Sequence, residues 1–578
     1  MLTQYPRPQF ARKSWMNLNG EWNFLFDDDN RGEREEWYRQ FPESRTILVP
    51  YTYETPLSGV EDERHHNILW YEREFEAEAR DGRRLLLHFE GVDYEARVWV
   101  NGSFAGGHQG GYGAFALDIT RFLKLGRNRI TVRAEDSISC EQPRGKQRWK
   151  DDNFGCWYVQ TTGIWKTVWL EEVSDFYLDR IKMTPDIDRG LIDITASFSG
   201  TPGKEETWLQ WEIWLEGRLV CRQQAQVLEN RLRISASLRG TGVPWTLEFW
   251  SPESPKLYDI KFRLLEAGAV MDEVDSYFGM RKISIEGGRV LLNNRPIYQR
   301  LILDQGYWEE SHLTPPSEEA IIKDIDLILE AGYNGLRKHQ KVEDARFLYW
   351  CDRKGLLVWS EMASQYAFSD RGMQLFTREW MEVVEQNYNH PSIITWTPFN
   401  ESWGIEAVAT DVSQQQFTES IYHLTKSFDN MRPVIVNDGW QHTVSDIITL
   451  HDYEEGGREL FERYSGKDKI LGNEIPFNRS LYAFARGYAY QGQPVIISEY
   501  GGIALRDDRG WGYGEQVQSE EDFIKRFDAI TSAIKSLDYV CGFCYTQLTD
   551  VQQEINGLYT MKREPKVDIG RIGEINRR

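Results

Sequence analysis

From about residue 280 onward, short apolar runs alternate with segments of helical character, and this rhythm restricts the fold more than any other feature. Pro296–Ile302, Gly335–Arg337, Leu356–Glu361, Ile393–Phe399, Val434–Val436, Ile447–Leu450, Val495–Ser498 and Val540–Tyr545 read as strands. Helical segments near 343–354, 374–388, 409–427 and 519–536 fall between them. Apolar strands separated by helices imply a parallel sheet, and eight of them in roughly 300 residues fit a closed (β/α)8 barrel over 281–578. A doubly wound open sheet is the alternative, but no dinucleotide or phosphate-loop fingerprint supports it.

The residues before the barrel read differently. Trp22–Phe26, Tyr71–Phe75, Arg84–Phe89, Ala96–Val100 and Arg129–Arg133 are short β-forming runs, punctuated by Asn101-Gly102, Gly106-Gly107 and Gly110-Gly111. Regular short strands with turn signals predict a β-sandwich over 1–175, with a tight hairpin at Asn101-Gly102. From 176 to 280 a second β stretch follows, with Thr207–Leu215 as one strand and Arg231–Ser237 alternating with period two. Its size, roughly 100 residues, fits an immunoglobulin-like β-sandwich.

Charge narrows the partners. With 68 Lys+Arg against 90 Asp+Glu the net charge is −22, so nucleic acid and anionic membranes would be repelled. No run approaches the roughly 20 apolar residues of a membrane span, and the N-terminus lacks a signal-peptide pattern. Six cysteines are too few for a disulfide scaffold, which predicts reduced thiols and a cytoplasmic protein. Cys541 and Cys544 spell CxxC inside a strand without a second pair, which argues against a zinc or redox role; His65-His66 reads as a loop. The 22 Trp exceed what a core requires, and flat rings stack on sugar faces.

In a barrel the active site lies at the C-terminal ends of the strands, so functional side chains should directly follow apolar runs. Arg337–Lys341, Glu361, Asn400-Glu401, His451–Tyr453, Glu499 and Tyr545–Asp550 do so. Glu401 and Glu499 would face each other across one mouth, the pair of carboxylates that cleaves a glycosidic bond. Their separation decides stereochemistry: about 5–5.5 Å for retention, about 6.5–9.5 Å for inversion.

These motifs resemble glycoside hydrolase family 2, the family of β-galactosidases, β-glucuronidases and β-mannosidases, over essentially the whole chain. The resemblance rests on Trp15–Trp22, Gly91–Gly102, Gly111–Phe115, Thr162–Trp165, Phe278–Arg281, Asn389–Trp396 leading into Asn400-Glu401, and Ser498–Gly501. It implies a sugar-binding-type jelly roll for the first domain. It also implies Glu401 as acid/base, Glu499 as nucleophile and Asn400 as the partner of the sugar 2-hydroxyl. Burial and the nearby nucleophile should then raise the pKa of Glu401. Arg337 and Tyr453 are the candidates to keep Glu499 ionised, and Trp403 and Trp440 the candidates to stack on substrate.

The chain departs from the family at several places. Arg300–Gln305 and Arg337–Val342 replace the usual segments after strands one and two, which puts Gln340 where a sugar-contacting His is expected; Tyr545 stands for the usual Trp of strand eight. Asp304, His339, Gln340, His451 and Gln547 become candidates for hydroxyl recognition. β-Glucuronidases carry Asn-x-Lys where this chain has Glu554-Ile-Asn556, and a Glu there would repel a uronate; Lys338 and Lys341 could supply a replacement carboxylate site. The run Gln547–Asp550 is similar to the β-mannosidases.

The expected function is a retaining exo-β-glycosidase acting on small β-glycosides, of β-galactosidase type. A β-glucuronidase, β-galacturonidase or β-mannosidase is the alternative within the family. A non-catalytic carbohydrate-binding protein is the alternative outside it, opposed by the intact Glu pair. The chemistry needs no organic cofactor; bound Ca2+, Mg2+ or Na+ is compatible with the chain, as is a homo-oligomer.

Overall fold

The structure, a computed structural model, describes residues 1–203, 206–239 and 247–578. The first domain is a jelly-roll-type sandwich. Its larger sheet runs in the order Arg45–Val49, Gly20–Phe26, Ile68–Glu76, Arg127–Glu135, Glu95–Val100, Ser103–Gln109. The facing sheet runs Trp15–Asn17, Val168–Ser174, Arg83–Phe89, Phe115–Asp118. Ile130, Val132 and Ala134 alternate inward to meet Leu87 and Phe89, the period-two pattern of a half-buried strand. Asn101 and Gly102, with φ of 52° and 80°, form the hairpin turn their sequence predicts.

The second domain packs a three-stranded sheet (Leu178–Asp186, Leu191–Phe198, Arg231–Ser237) on a four-stranded one (Arg218–Gln226, Thr207–Leu215, Tyr258–Glu266, Ala269–Phe278). Leu209, Trp211, Ile213 and Leu215 face Ile192, Ile194 and Ala196 across the core.

The third domain is the barrel. Its strands are β1 (Gln299–Asp304), β2 (Gly335–Lys338), β3 (Leu357–Glu361), β4 (Ile393–Thr397, continued by Phe399–Asn400), β5 (Asn437–Asp438), β6 (Ile448–His451), β7 (Val495–Gly501) and β8 (Val540–Thr546). Parallel pairing runs β4-β3-β2-β1-β8-β7-β6. The ring closes through β5, which pairs with Phe399–Asn400 on one side, while its neighbour Gly439 accepts the His451 N–H on the other. The strand expected at Val434–Val436 thus lies slightly later, with only Val434 bridging Trp396.

Helices α1 (Glu318–Glu330), α2 (Ala345–Lys354), α3 (Asp370–Asn387), α4 (Val412–Phe428), α5 (Gly457–Ser465), α6 (Lys467–Leu471), α7 (Glu520–Lys535) and α8 (Ile569–Arg577) complete the domain. Ser317, Asp344, Ser369, Asp411 and Ser519 cap α1–α4 and α7, each accepting a backbone N–H from the first turn. Leu301, Leu303, Trp359, Ile435, Ile496 and Cys544 fill the barrel interior, while Ile302, Leu336, Val358, Ile497, Phe543 and Tyr545 pack outward against helices. Cys541 and Cys544 are free thiols of β8.

Candidate active site

Arg337 organises the floor of the barrel mouth. It alternates inward between outward Leu336 and Lys338, and is wholly buried. Its Nε donates to Glu361 Oε2 at 2.7 Å, its Nη1 to Glu499 Oε1 at 2.8 Å, and its Nη2 to Asn400 Oδ1 at 2.7 Å. Asp438 Oδ2 lies 2.8 Å from Nη1. Such a guanidinium is tolerable only because fixed carboxylates surround it, and they in turn hold its pKa far above the ordinary value against the effect of burial.

Glu499 stands at a bulge in β7. The register against β6 and β8 slips around Ser498, so both Ser498 and Glu499 turn inward: Ser498 Oγ donates to Asp438 and Glu499 takes the Arg337 bond. Tyr453 donates its hydroxyl to Glu499 Oε2, and the Tyr453 ring stacks on Tyr513 with centroids 3.4 Å apart. Two strong donors therefore hold this carboxylate in place.

Glu401 leaves β4 in a left-handed turn, with φ of 51° at Glu401 and 59° at Ser402. Non-glycine residues occupy this region only when neighbours enforce it. Here Asp438 O accepts the Glu401 N–H, and Asn437 Oδ1 accepts the Ser402 N–H at 2.9 Å. The turn brings Glu401 Oε1 to 2.9 Å from His451 Nδ1, while His451 Nε2 lies 3.0 Å from Asp438 Oδ2 and Nδ1 lies 3.5 Å from Glu499 Oε2. One oxygen of Glu401, one of Glu499 and a His451 nitrogen all fall within 4.8 Å of one another.

The charge state of this trio differs from the expected one. Burial alone would push His451 down, but Glu499 and Asp438, with the Asp438 and Glu401 hydrogen bonds, raise it to about 10. Burial pushes Glu401 up, yet the His451 hydrogen bond and the charges of His451, Lys146 and Arg337 outweigh it and hold Glu401 below the ordinary carboxylate value. The unliganded protein thus carries the proton on His451. Among the described residues this trio is also the set whose atoms could hold a metal ion, but the two N–H bonds of His451 occupy the directions a metal would use.

The first domain supplies one wall. Arg144 and Gly145 donate their N–H groups to Ser364 O just beyond β3, both at 3.0 Å, and Tyr366 donates to Gly145 O at 2.7 Å. Trp149, Phe154 and Trp157 of this loop join Tyr366 and Trp403 in one aromatic cluster, the Trp157 and Trp403 centroids being 5.3 Å apart. Lys146 lies beneath it, with Nζ 3.2 Å from Cys156 Sγ.

Three family descriptions match the chain in order. "Glycosyl hydrolases family 2, sugar binding domain" covers residues 15–172, "Glycosyl hydrolases family 2" covers 176–281, and "Glycosyl hydrolases family 2, TIM barrel domain" covers 283–572. The chain belongs to glycosyl hydrolase family 2. A β-glucuronidase of Paenibacillus borealis is 23% identical over 97% of this chain and 96% of its own length. A β-galactosidase of Thermoanaerobacter pseudethanolicus is 25% identical, covering 76% of this chain and 58% of its own. A solved β-galacturonidase from Eisenbergiella tayi shares the fold with a TM-score of 0.76 at 22% identity, covering 100% of this chain and 98% of that one.

As a family 2 barrel, the mouth gathers Asn400, Glu401, Trp403, His451, Tyr453, Glu499, Arg337, His339 and Gln340 from the sequence candidates. Asn400 keeps Nδ2 buried without a protein partner, a donor for a sugar hydroxyl. His339 lies 2.9 Å from Arg337; burial first, then the charges of Lys146 and Arg337, keep it neutral. Gln340 accepts the Ser364 N–H at 2.6 Å and leaves Nε2 unpaired. Trp440 meets the His451 ring edge-on at 5.6 Å.

Other candidates need correction. His451 is buried behind its carboxylates and positions groups instead of reading hydroxyls, while Arg337 makes the bond to Glu499 for which it was a candidate. Asp304 has the outward parity of Ile302; with Lys338 and Glu343 it forms an ion-paired cluster, and Lys338 lies over the Phe347 ring of α2. Lys341 is turned to Gly306 O, Leu313 O and Glu343. Neither lysine can therefore serve as the replacement carboxylate site. Tyr545 points outward onto Phe527 of α7 and Tyr500; its neighbour Thr546 reaches the mouth instead, 3.3 Å from the Tyr453 hydroxyl. Gln547 spends its amide on Gln305 and Asn556. Glu554 is tied up by Tyr158, Gln305 and Asn556.

Sequence reading passed over Asp438, Lys146, Trp157 and Tyr366. Asp438 follows Val434–Val436 and was reachable by the strand-end rule. The rest sit in loops, where no period marks them.

Proposed function

We propose that this family 2 hydrolase is a retaining exo-β-glycosidase whose glycone is a uronic acid, glucuronic or galacturonic. The observation that carries the mechanism is the approach of Glu401 and Glu499 to within 4.8 Å, on the retaining side of the spacing rule. The uronide class draws its support from relatives named β-glucuronidase that align along 97% of the chain.

In the first step Glu499 Oε2 attacks the anomeric carbon. The C1–O bond breaks, and its electron pair takes the proton that His451 relinquishes through Glu401. Arg337 and Tyr453 hold Glu499 in place for attack, and the Asn400 amide meets the 2-hydroxyl. In the second step the Glu401 carboxylate removes a proton from water, the water oxygen bonds C1, and Glu499 departs as carboxylate. Retention follows from two inversions.

The test is a panel of p-nitrophenyl β-glucuronide, β-galacturonide, β-galactoside, β-glucoside and β-mannoside, followed by NMR. A uronide should have the highest kcat/KM, and the β-anomer should be released first. Initial release of the α-anomer would overturn the retaining mechanism. Preference for the galactoside would favour the second reading, a β-galactosidase, which the Thermoanaerobacter relative supports.

A further inference from the structure

Lys146 is a buried cation at the barrel mouth that the hydrolytic mechanism does not use. Its place is fixed by the backbone beside it. Gly145 has φ of +63°, and a Cβ there would stand 2.3 Å from Gln340 O, so the loop presses directly on the end of β2. The Tyr158 N–H bonds Lys146 O at 2.8 Å, tying both sides of the loop together. The residue is only 6% exposed. Its ammonium lies 5.8 Å from the Trp157 ring, which also meets Trp403, two residues beyond Glu401.

A buried ammonium is costly unless an anion answers it. Arg337, Lys338 and Lys341 each hold a carboxylate. Lys146 has no ion pair among the described residues, and the Cys156 sulfur is its one hydrogen-bond partner. Burial would lower its pKa, but Cys156, Tyr366, Glu401 and Glu554 together raise it, so the charge persists. Arg337 is already saturated and Lys338 faces α2, so neither can answer an anionic sugar.

We propose that Lys146, delivered by the first domain, binds the carboxylate of the uronide glycone. This rests on the uronidase reading and gives it a cation that Arg337, Lys338 and Lys341 do not supply. A neutral sugar would leave the ammonium without an ion pair, whereas a carboxylate would supply one through a charge-assisted hydrogen bond.

The test uses the full chain with p-nitrophenyl β-glucuronide and β-galacturonide beside the matching glucoside and galactoside. In Lys146→Met the ratio of uronide to matching neutral kcat/KM should fall roughly a hundredfold, chiefly through the uronide KM. Lys146→Arg should recover much of that ratio. Lys146→Gln keeps hydrogen bonding without charge and should show the loss as well, which keeps the test open should the Met variant not fold. A ratio that stays within about threefold in both neutral variants, while wild type still prefers a uronide, overturns the role of Lys146 and leaves the uronidase reading intact. Wild-type preference for the neutral sugars overturns both.

Discussion

At the scale of residues, the site is a chain of charges in which each member sets the state of the next. Arg337 is central: replacing it with Met strands Glu361, Asp438 and Glu499 in the barrel, and should cost about 3–5 kcal/mol of stability by denaturant unfolding. Glu499→Gln should abolish turnover of every substrate. Glu401→Gln should slow poor leaving groups by roughly 10²–10⁴-fold but spare the glycosylation step of dinitrophenyl glycosides, which need no proton; equal loss across leaving groups would refute the assignment. His451, raised to about 10 in the fold from an ordinary 6.5, stabilises the protein fully below pH 6.5, and that contribution is lost as pH rises toward 10. The melting temperature should therefore fall between pH 7 and 10, and His451→Asn should flatten this slope. Glu401 and Glu499 were legible in the sequence because each ends an apolar strand. The protonation of His451 was not, because it depends on Asp438 approaching from a strand of two residues.

At the scale of elements, strand parity separates the right candidates from the wrong ones. Arg337 and Thr546 face inward, while Lys338, Asp304 and Tyr545 face out, and period two would have sorted them had the registers been known. The bulge at Ser498 could not be read, since it exists only in the slip against β6 and β8. Helix α1 was left unassigned although Ile321, Ile325 and Ile328 mark its buried face. The loop at Gly145 is the element most sensitive to change. Gly145→Ala forces a methyl toward Gln340 O in a backbone conformation that disfavours side chains, and should cost about 1–3 kcal/mol. If the wall lifts, KM should rise more than kcat falls; unchanged kinetics and melting would show that the loop accommodates the methyl elsewhere.

At the scale of the molecule, the order of two sandwiches and a barrel was legible from strand rhythm alone, but their cooperation was not. No pattern along the chain announces that residues 144–157 roof a mouth built some 200–400 positions later. The barrel expressed alone, residues 281–578, should consequently show no uronide turnover even where it folds, and mixing in the separate N-terminal portion should restore some of it if the parts reassociate. Turnover by the barrel alone would count against a catalytic contribution from the roof.

If Lys146 reads the glycone as proposed, sugar choice becomes a joint property of two domains. Grafting this barrel beneath a relative's first domain would carry over the bond-breaking machinery unaltered while exchanging the surface that inspects the substrate. Selectivity in such hybrids should track the donor of the smaller piece, so diversification could proceed by shuffling lids over a constant engine.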